Sequence, residues 1–335
     1  MKRFLTLSFL AVSLVLSGCG KKDSAPAAGA AGAGGKKLTI AMLPKSKGNA
    51  YFLSAAKGAQ KAAAALNDTL LFDGPTQTDP AKQNEIVEGW INKGVDVIAV
   101  AAEDKAALST ALRKAQSKGI KVVSFDADVM PDARTFFVNQ ATPKGIGEAL
   151  MDEAARLAGS EGEFAIITAS LTAANQNEWK KAIDERLKTY PKMKLVDFRP
   201  CDDDKAKAQS EATTMMSAHP NLKLIMSICS PGVPGAAEAV KQAGKTGKVK
   251  VVGLGLPNEN KAYVHGGVTD SVILWNTEEL GALAVHAADA LARGTLKAGD
   301  KSFSVGGKSY DIVGDNIMLG KPFIFNKANI DQFDF

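Results

Sequence analysis

Short apolar runs alternate with longer amphipathic segments from Leu38 onward, and this alternation limits the fold more than any other feature of the sequence. The runs are continuous and rich in β-branched residues, which is typical of strands covered on both faces. The segments between them show helical spacing. Strand–helix–strand repeats at this interval form right-handed crossovers and a parallel sheet. This first series predicts strands at 38–43, 95–100 and 120–125 and helices at 50–66, 80–93 and 105–118.

A second series of the same kind begins near residue 141. One further helix is predicted at 277–293, followed by short, glycine-punctuated strand runs over 302–325. Two consecutive series of similar size predict an α/β protein with two doubly wound parallel-sheet lobes. The second series predicts strands at 163–170, 194–200, 222–228 and 250–256 and helices at 142–158, 175–190, 205–218 and 234–243.

The N-terminal segment differs in composition from the rest of the chain and predicts an export signal and a tether. A positively charged start precedes an apolar run, 4–16, that is too short to span a bilayer and is typical of a secretion signal. Leu-Ser-Gly-Cys at 16–19 matches the cleavage and acylation site of bacterial lipoproteins, so we expect Cys19 to carry a lipid. Residues 1–18 would then be the signal peptide, and 19–36 a flexible Ala/Gly-rich tether. The alternative is an ordinary signal peptide with an incidental cysteine. Either predicts a protein outside the cytoplasm.

The net charge of +5 does not describe the predicted folded body. Six of the 41 basic residues and one of the 36 acidic residues precede Leu38, so the two kinds of charge balance from there on. A neutral body lacks the concentrated basic face that nucleic acids require. We therefore expect no nucleic-acid partner.

The cysteines and histidines do not predict a metal site, and no catalytic motif is present. With Cys19 acylated, Cys201 and Cys229 remain, which either pair in an oxidising compartment or stand as separate core residues. Neither has the C-x-x-C spacing of a metal site, and the chain has three histidines. There is no Gly-x-Ser-x-Gly elbow and no histidine placed for a strand-end triad. We therefore expect a binding protein without cofactor or metal rather than an enzyme.

Ligands of open parallel sheets bind at the carboxyl ends of the strands, and this rule selects a short set of candidate residues. The set holds one lysine, two aspartates, several amides and aromatic side chains. Carboxylates and amides pair with hydroxyl groups, and aromatic faces cover the C–H side of a sugar ring, so the set suits a polyhydroxylated ligand. The candidate ligand-binding residues are Lys45, Phe52, Asp126, Asp128, Asn175, Gln176, Ser230, Trp275 and Asn276.

Several of these candidates also fit a purely structural role, and position in the sequence does not decide between that role and ligand binding. The alternatives are a turn cap for Asp126 and Asp128, a solvated loop for Lys45, core packing for Phe52 and Trp275, and a helix N-cap for Asn175.

Four stretches match a known family: Asp-Gly-Pro-Thr at 73–76, Asp-x-Asp at 126–128, Asn-Gln-Asn-x-Trp at 175–179 and Ile-Phe-Asn-Lys at 324–327. In these the body resembles the periplasmic sugar-binding proteins of ABC transporters, of the ribose-binding type. Within that group it resembles the branch of the rhamnose-binding proteins and the autoinducer-2 receptor. The resemblance implies two lobes joined by three hinge crossings. The lobes would comprise 37–140 with about 276–305, and 141–275 with about 306–335.

The resemblance also implies which residues hold the ligand. In the autoinducer-2 receptor a lysine after the first strand, an aspartate after the fourth and an acid–glutamine pair do so. Lys45, Asp126 and Gln176 stand at the matching places, whereas Asn175 replaces the acid.

Further departures favour the rhamnose-binding branch over the autoinducer-2 receptor. This chain has Ile228 and Ser230 where that receptor has a proline and an alanine. The amides at 175–177, the Gly-Leu-Gly-Leu-Pro stretch at 253–257 and Trp-Asn at 275–276 resemble the rhamnose-binding branch. The resemblance therefore favours a rhamnose-like monosaccharide, with autoinducer-2 as the alternative ligand.

The function implied by the resemblance is that of a monomeric transport receptor, anchored to a membrane by the lipid on Cys19. Its lobes would close on one sugar and present it to an ABC permease and its ATPase. The alternative is a signalling receptor, either for autoinducer-2 or as the sensing partner of a chemoreceptor. Ligand-sensing repressors share the fold, but they need an N-terminal helix-turn-helix where this chain has a lipoprotein signal.

Overall fold

The computed structural model describes residues 36–335, so the predicted signal peptide, Cys19 and the tether up to residue 35 lie outside the described residues. From β1 onward, strands and helices alternate as the sequence predicts. The first series consists of β1 (Thr39–Leu43), α1 (Ala50–Ala65), β2 (Thr69–Phe72), α2 (Pro80–Lys93), β3 (Val97–Val100), α3 (Lys105–Ser117), β4 (Lys121–Phe125) and β5 (Phe136–Asn139).

The five strands of this series pair in parallel. β1 lies between β2 and β3, and β4 and β5 follow beyond β3. Every residue of β3 and β5 is buried, as expected for strands with helices on both faces. β2 lies at the edge of the sheet and is half-buried throughout, which explains why its pattern is weaker in the sequence.

The second series forms a separate four-stranded parallel sheet, in the order β7-β6-β8-β9. No helix within residues 36–335 combines the length and the apolar character that crossing a membrane demands. The second series consists of α4 (Pro143–Ala158), β6 (Glu161–Thr168), α5 (Ala174–Leu187), β7 (Lys192–Pro200), α6 (Lys205–Ala218), β8 (Leu222–Ser227), α7 (Gly232–Gln242), β9 (Lys250–Gly253) and α8 (Pro257–His265).

The C-terminal part of the chain returns to both sheets. Its elements are β10 (Ser271–Leu274), α9 (Thr277–Arg293), β11 (Ser302–Val305), β12 (Lys308–Val313), β13 (Asn316–Met318) and β14 (Phe323–Asn326). β10 and β14 pair with each other beside β9, whereas β13 joins β5 and extends the first sheet to eight strands. The elements of the eight-stranded sheet form the first lobe, and the remaining strands with α4 to α8 form the second. The chain therefore crosses between the lobes three times: after β5, after β10 and after β13.

The third crossing lies later than the expected boundary near residue 305. β12 and β13, which the sequence analysis assigns to the second lobe, hydrogen-bond within the first sheet, and Ile312 and Ile317 are buried there. These strands are short and separated by glycine, so their pattern shows that they are strands without showing which sheet they join.

Two glycines set the close approach of α1 and α9, the helices that begin beside the interlobe cleft. A Cβ at Gly58 would lie 1.8 Å from the carbonyl oxygen of Glu278, and one at Gly281 would lie 1.9 Å from that of Ala55. The two helix backbones are therefore in direct contact at both points. This contact ties the start of α1, which carries cavity residues, to the second crossing.

Replacing Gly281 by alanine tests this contact. The added methyl group has to push the α9 backbone off α1, so we expect Gly281→Ala to lower the free energy of unfolding by about 2–3 kcal/mol. Urea unfolding followed by circular dichroism measures the change. The matched control is Gly89→Ala on the exposed face of α2, where a Cβ meets nothing within 4 Å. That variant is expected to be about 0.5–1 kcal/mol more stable than wild type. Equal stability of Gly281→Ala and wild type would contradict the contact.

Candidate ligand-binding site

A cavity of about 40 Å³ lies between the lobes, at the carboxyl ends of the parallel strands. Its place is the one that open α/β sheets use for ligands. The residues lining it are Lys45, Asn49, Tyr51, Phe52, Asp126, Asn175, Gln176, Trp179, Asp203, Ile228, Cys229, Ser230, Leu254, Leu274 and Trp275.

Seven of the nine candidate residues line this cavity. They come from loops that follow strands, from the first turns of α1 and α5 and from the second crossing, and the fold brings them together from positions far apart in the chain. As ligand contacts they remain predictions. The seven are Lys45, Phe52, Asp126, Asn175, Gln176, Ser230 and Trp275.

Asp128 and Asn276 lie outside the cavity lining, and each has a structural role. Arg134 donates two hydrogen bonds to the carboxylate of Asp128, at 2.8 and 2.9 Å. The side chain of Asn276 caps α9 by accepting a hydrogen bond from the backbone of Glu279. Asp126 has a φ of +60°, and this left-handed turn breaks the alternation that would otherwise direct two aspartates at spacing two to the same side.

A chain of hydrogen bonds holds the carboxylate of Asp126. Trp275 Nε1 donates to the hydroxyl of Tyr51 at 2.8 Å, and that hydroxyl donates to Asp126 Oδ1 at 2.8 Å. Burial raises the pKa of Tyr51 well above its ordinary value, and the neighbouring Asp126 adds to this effect. Burial also raises the pKa of Asp126, against the opposing influence of Lys45. Tyr51 therefore stays a neutral donor that fixes one carboxylate oxygen.

Lys45 connects the lobes beside the cavity that it lines. Its Nζ donates to Asn175 Oδ1 at 3.0 Å and lies 3.8 Å from Glu103 Oε2. The side-chain oxygen of Asn175 also accepts the backbone N–H of Gln176. The expected structural alternative of a solvated loop therefore does not apply to Lys45, whose side chain is 4% exposed.

Gln176 is oriented by the strand that precedes it. Its Oε1 accepts hydrogen bonds from the Thr168 hydroxyl at 2.6 Å and from the backbone N–H of Ala169 at 2.8 Å. Because the oxygen is occupied by β6 and the loop after it, the amide N–H groups remain as donors on the cavity side. Gln176 therefore presents donors where Asp126 presents an acceptor.

Asn49 and Asp203 form a second connection between the lobes, which the sequence analysis missed. Asn49 Nδ2 donates to Asp203 Oδ2 at 2.9 Å, and Ser230 Oγ donates to Asn49 Oδ1 at 3.3 Å. The same side chain caps α1 by accepting the backbone N–H of Tyr51. The strand-end rule applies equally to β7 and selects Asp203, which lies three residues after that strand.

Aromatic rings form the apolar wall of the cavity. Tyr51 packs edge-to-face against Phe52 and Trp275, with ring centroids 5.0 and 6.1 Å apart, and Trp179 packs against Trp275 at 6.1 Å. Phe52 and Trp275 thus belong to the core and line the cavity at the same time. Trp179 is the aromatic residue of the Asn-Gln-Asn-x-Trp stretch, so the sequence pattern identifies its motif but not its place in the cavity wall.

The arrangement suits binding rather than catalysis. Fixed acceptors, fixed donors and an aromatic wall surround the cavity, and this combination matches the needs of a hydroxyl-rich ring. Among residues 36–335, no group of His, Cys, Asp and Glu side chains is placed to hold a metal ion.

A family model described as a periplasmic binding protein domain matches residues 40–296. The chain belongs to this family. Relatives of this binding protein are sugar-binding proteins of ABC transporters, a class of transport proteins that act outside the cytoplasm and are not enzymes. The D-allose-binding periplasmic protein of Escherichia coli K12 is 29% identical to it over 254 residues, or 72% of this chain and 80% of that protein.

Two solved structures share the fold of this binding protein and confirm the predicted fold class. A solute-binding protein from Clostridium phytofermentas with bound L-rhamnose is 33% identical, with a TM-score of 0.85 over 89% of this chain and 98% of that one. LsrB from Clostridium saccharobutylicum in complex with AI-2 is 26% identical, with a TM-score of 0.84 over 89% of this chain and 100% of that one.

The Asp203 carboxyl predicts a pH dependence of stability. Its burial, opposed by Lys45, raises its pKa from an ordinary 3.8 to about 6. The folded protein therefore holds a proton that the unfolded chain has released, and stability falls as the pH rises from about 4 to about 6. We expect Asp203→Asn, which keeps an acceptor for Asn49, to be about 2 kcal/mol more stable than wild type at about pH 7 and nearly equal at about pH 4.

Urea unfolding at the two pH values measures this difference. Asp204→Asn is the matched control, because Asp204 caps α6 through the backbone N–H of Lys207 and asparagine caps a helix equally well. The control is expected to match wild type at both pH values. An Asp203→Asn effect that does not change between them would contradict the proposed burial of this carboxyl.

Proposed function

We propose that this protein is the substrate-binding lipoprotein of an ABC-type sugar importer. It binds one monosaccharide, with L-rhamnose as the favoured candidate, in the cavity between its lobes and delivers it to a membrane permease and its ATPase. The observation that carries the proposal is the interlobe cavity itself, whose wall combines the Asp126 carboxylate, the Gln176 amide and the indole of Trp275.

The polar groups of the cavity support a neutral sugar. Each hydroxyl of a sugar donates one hydrogen bond and accepts others, so it pairs best with a wall that offers both acceptors and donors. Asp126 is held as an acceptor by Tyr51, and Gln176 is held as a donor by Thr168 and Ala169. Rings of Phe52 and Trp275 are available to cover the C–H groups.

The choice of rhamnose rests on Asn175 and on the structural relatives. Asn175 is neutral and its oxygen is occupied by Lys45, so the position adds no charge to the cavity. Among the structural relatives, the protein with bound L-rhamnose is 33% identical to this chain.

The second candidate ligand is autoinducer-2, which would make the protein a receptor for import of this signal or for quorum sensing. Lys45, Asp126 and Gln176 stand where the autoinducer-2 receptor has its lysine, aspartate and glutamine, and the AI-2 complex has nearly the same TM-score as the rhamnose complex. Asn175, Ile228 and Ser230 are the residues that separate the two candidates.

A thermal-shift screen tests the proposal directly. A ligand at a hundred times its Kd adds about 2.7 kcal/mol of stability, which raises the Tm of a domain of this size by roughly 5 °C. We expect L-rhamnose to give such a rise and autoinducer-2 to give none, with titration calorimetry confirming one site. A rise with autoinducer-2 alone would replace the sugar by the signal, and no rise with either ligand or with ribose or allose would refute the proposal.

Asn175→Asp is the sharpest variant for distinguishing the ligands. The new carboxylate pairs with Lys45 and changes the pattern of donors and acceptors, so we expect L-rhamnose affinity to fall about tenfold, which corresponds to about 1.4 kcal/mol. Asn92→Asp is the matched control, because that side chain is exposed on α2 and does not line the cavity. Tighter binding of autoinducer-2 by Asn175→Asp, with rhamnose affinity unchanged, would favour the receptor function instead.

The lipid anchor is a separate part of the proposal, since Cys19 lies outside the described residues. It rests on the Leu-Ser-Gly-Cys sequence at 16–19 and on the Ala/Gly-rich segment that follows. We expect full-length wild type to fractionate with membranes and Cys19→Ser to be released into the soluble fraction. Membrane association of Cys19→Ser equal to that of wild type would contradict acylation at this residue.

A further inference from the structure

Two cysteines of the second lobe contact each other beside the cavity. Cys201 follows β7 and Cys229 follows β8, and their Sγ atoms are 3.4 Å apart. Both are free thiols and both are buried, at 0% and 3% exposure. Because β7 and β8 flank β6 in the sheet, the contact spans the carboxyl end of β6.

The two loops that carry these thiols also carry the second connection between the lobes. Asp203 lies two residues after Cys201, and Ser230 is the neighbour of Cys229. Both hydrogen-bond to the same side chain of the first lobe, Asn49, one through its nitrogen and one through its oxygen. The side-chain amide of Asn49 reaches both partners only while the two loops stay at their present distance from each other. The two thiols touch at the base of these loops, so their contact influences that distance.

We propose that Cys201 and Cys229 form a reversible disulfide that fixes the spacing of these two loops and strengthens closure of the cavity. The pairing moves the sulfurs from 3.4 Å to the bonding distance of about 2.05 Å, which is a small shift. The compartment in which periplasmic binding proteins act is oxidising and supports such a bond. The effect on sugar binding rests on the proposed function, whereas formation of the bond does not.

The oxidant is a disulfide of a small thiol or of an exchange protein. One cysteine thiolate attacks that disulfide, and the departing sulfur takes up a proton as a thiol. The other cysteine thiolate then displaces the second half of the oxidant from the mixed disulfide. In balance, two protein thiols become one disulfide, and the oxidant's disulfide is reduced to two thiols.

The closed conformation slows this reaction. Contact with Cys201 and burial raise the pKa of the Cys229 thiol well above its ordinary value, so little thiolate forms there. Oxidation is therefore expected to proceed fastest in ligand-free protein at about pH 8, where opening of the cleft exposes the wall that Cys229 lines.

The test compares oxidised and reduced full-length protein. Purified protein is treated with oxidised glutathione or with a reductant, free thiols are blocked by iodoacetamide in denaturant, and peptide masses are read. The oxidised sample is expected to contain a cross-linked pair of Cys201 and Cys229 peptides, and its Tm is expected to lie roughly 5 °C above that of the reduced sample. Its Kd for L-rhamnose is expected to be at least threefold lower. Full alkylation of both cysteines after the oxidant, or equal Tm values and equal Kd values for the two forms, would overturn the proposal.

Cys201→Ala is the control, because Cys201 does not line the cavity. This variant is expected to bind like reduced wild type and to show no response of Tm or Kd to the oxidant. The same response in Cys201→Ala as in wild type would overturn the proposal, since the effect would then arise elsewhere. If neither form of wild type binds any sugar, the proposed function fails, and the disulfide is decided by the peptide masses and the Tm alone.

Discussion

One lysine balances the carboxylates around the cavity, and the geometry of the site depends on it. Lys45 is the only cation among the described residues that line the cavity, and it opposes the effect of burial on the pKa of both Asp126 and Asp203. Glu103 lies 3.8 Å from it and is connected to the second lobe by the hydroxyl of Ser170. Leaving buried carboxylates without their cation typically costs about 3–5 kcal/mol. A lysine at the end of β1 thus makes it possible for an acidic wall to exist in a closed cleft.

Polar side chains connect the lobes at several points within residues 36–335, and hydrogen bonds of this kind break and re-form as a protein opens and closes. Lys45 bonds to Asn175, Asn49 to Asp203 and Ser230, and Ser170 to Glu103. Hydrogen bonds of this kind contribute about 0.5–1.5 kcal/mol each, and those to charged groups about 1.5–3, so together they amount to several kcal/mol before the cost of ordering is subtracted. A bound ligand that contacts both lobes adds a stabilising free energy of similar size and shifts the equilibrium between the open and closed forms towards the closed form.

The sequence predicted the fold and about half of the residues that line the cavity, because both follow from local patterns. Continuous apolar strands identify a parallel sheet, and a parallel sheet places its ligand at the strand ends, which selected residues such as Asp126 and Gln176. The rule failed at Asp128, because the left-handed conformation of Asp126 redirects the chain, and a single φ value is not encoded in an apolar pattern. The strand-end rule does not select Asn49, because this residue caps a helix and bridges the two lobes, and that role depends on tertiary contacts. The pairing of β13 with β5 also depends on contacts between residues far apart in the chain, which local patterns do not predict.

A crystal structure of the protein grown with L-rhamnose tests the central claim, that the interlobe cavity holds one sugar. It is expected to show a single sugar whose hydroxyls contact Asp126 and Gln176 and whose C–H face lies against an aromatic ring of the wall. The connection from Asn49 to Asp203 is expected to be intact. A closed cleft with the sugar bound elsewhere, or a sugar in the cleft without contact to Asp126, would contradict the claim.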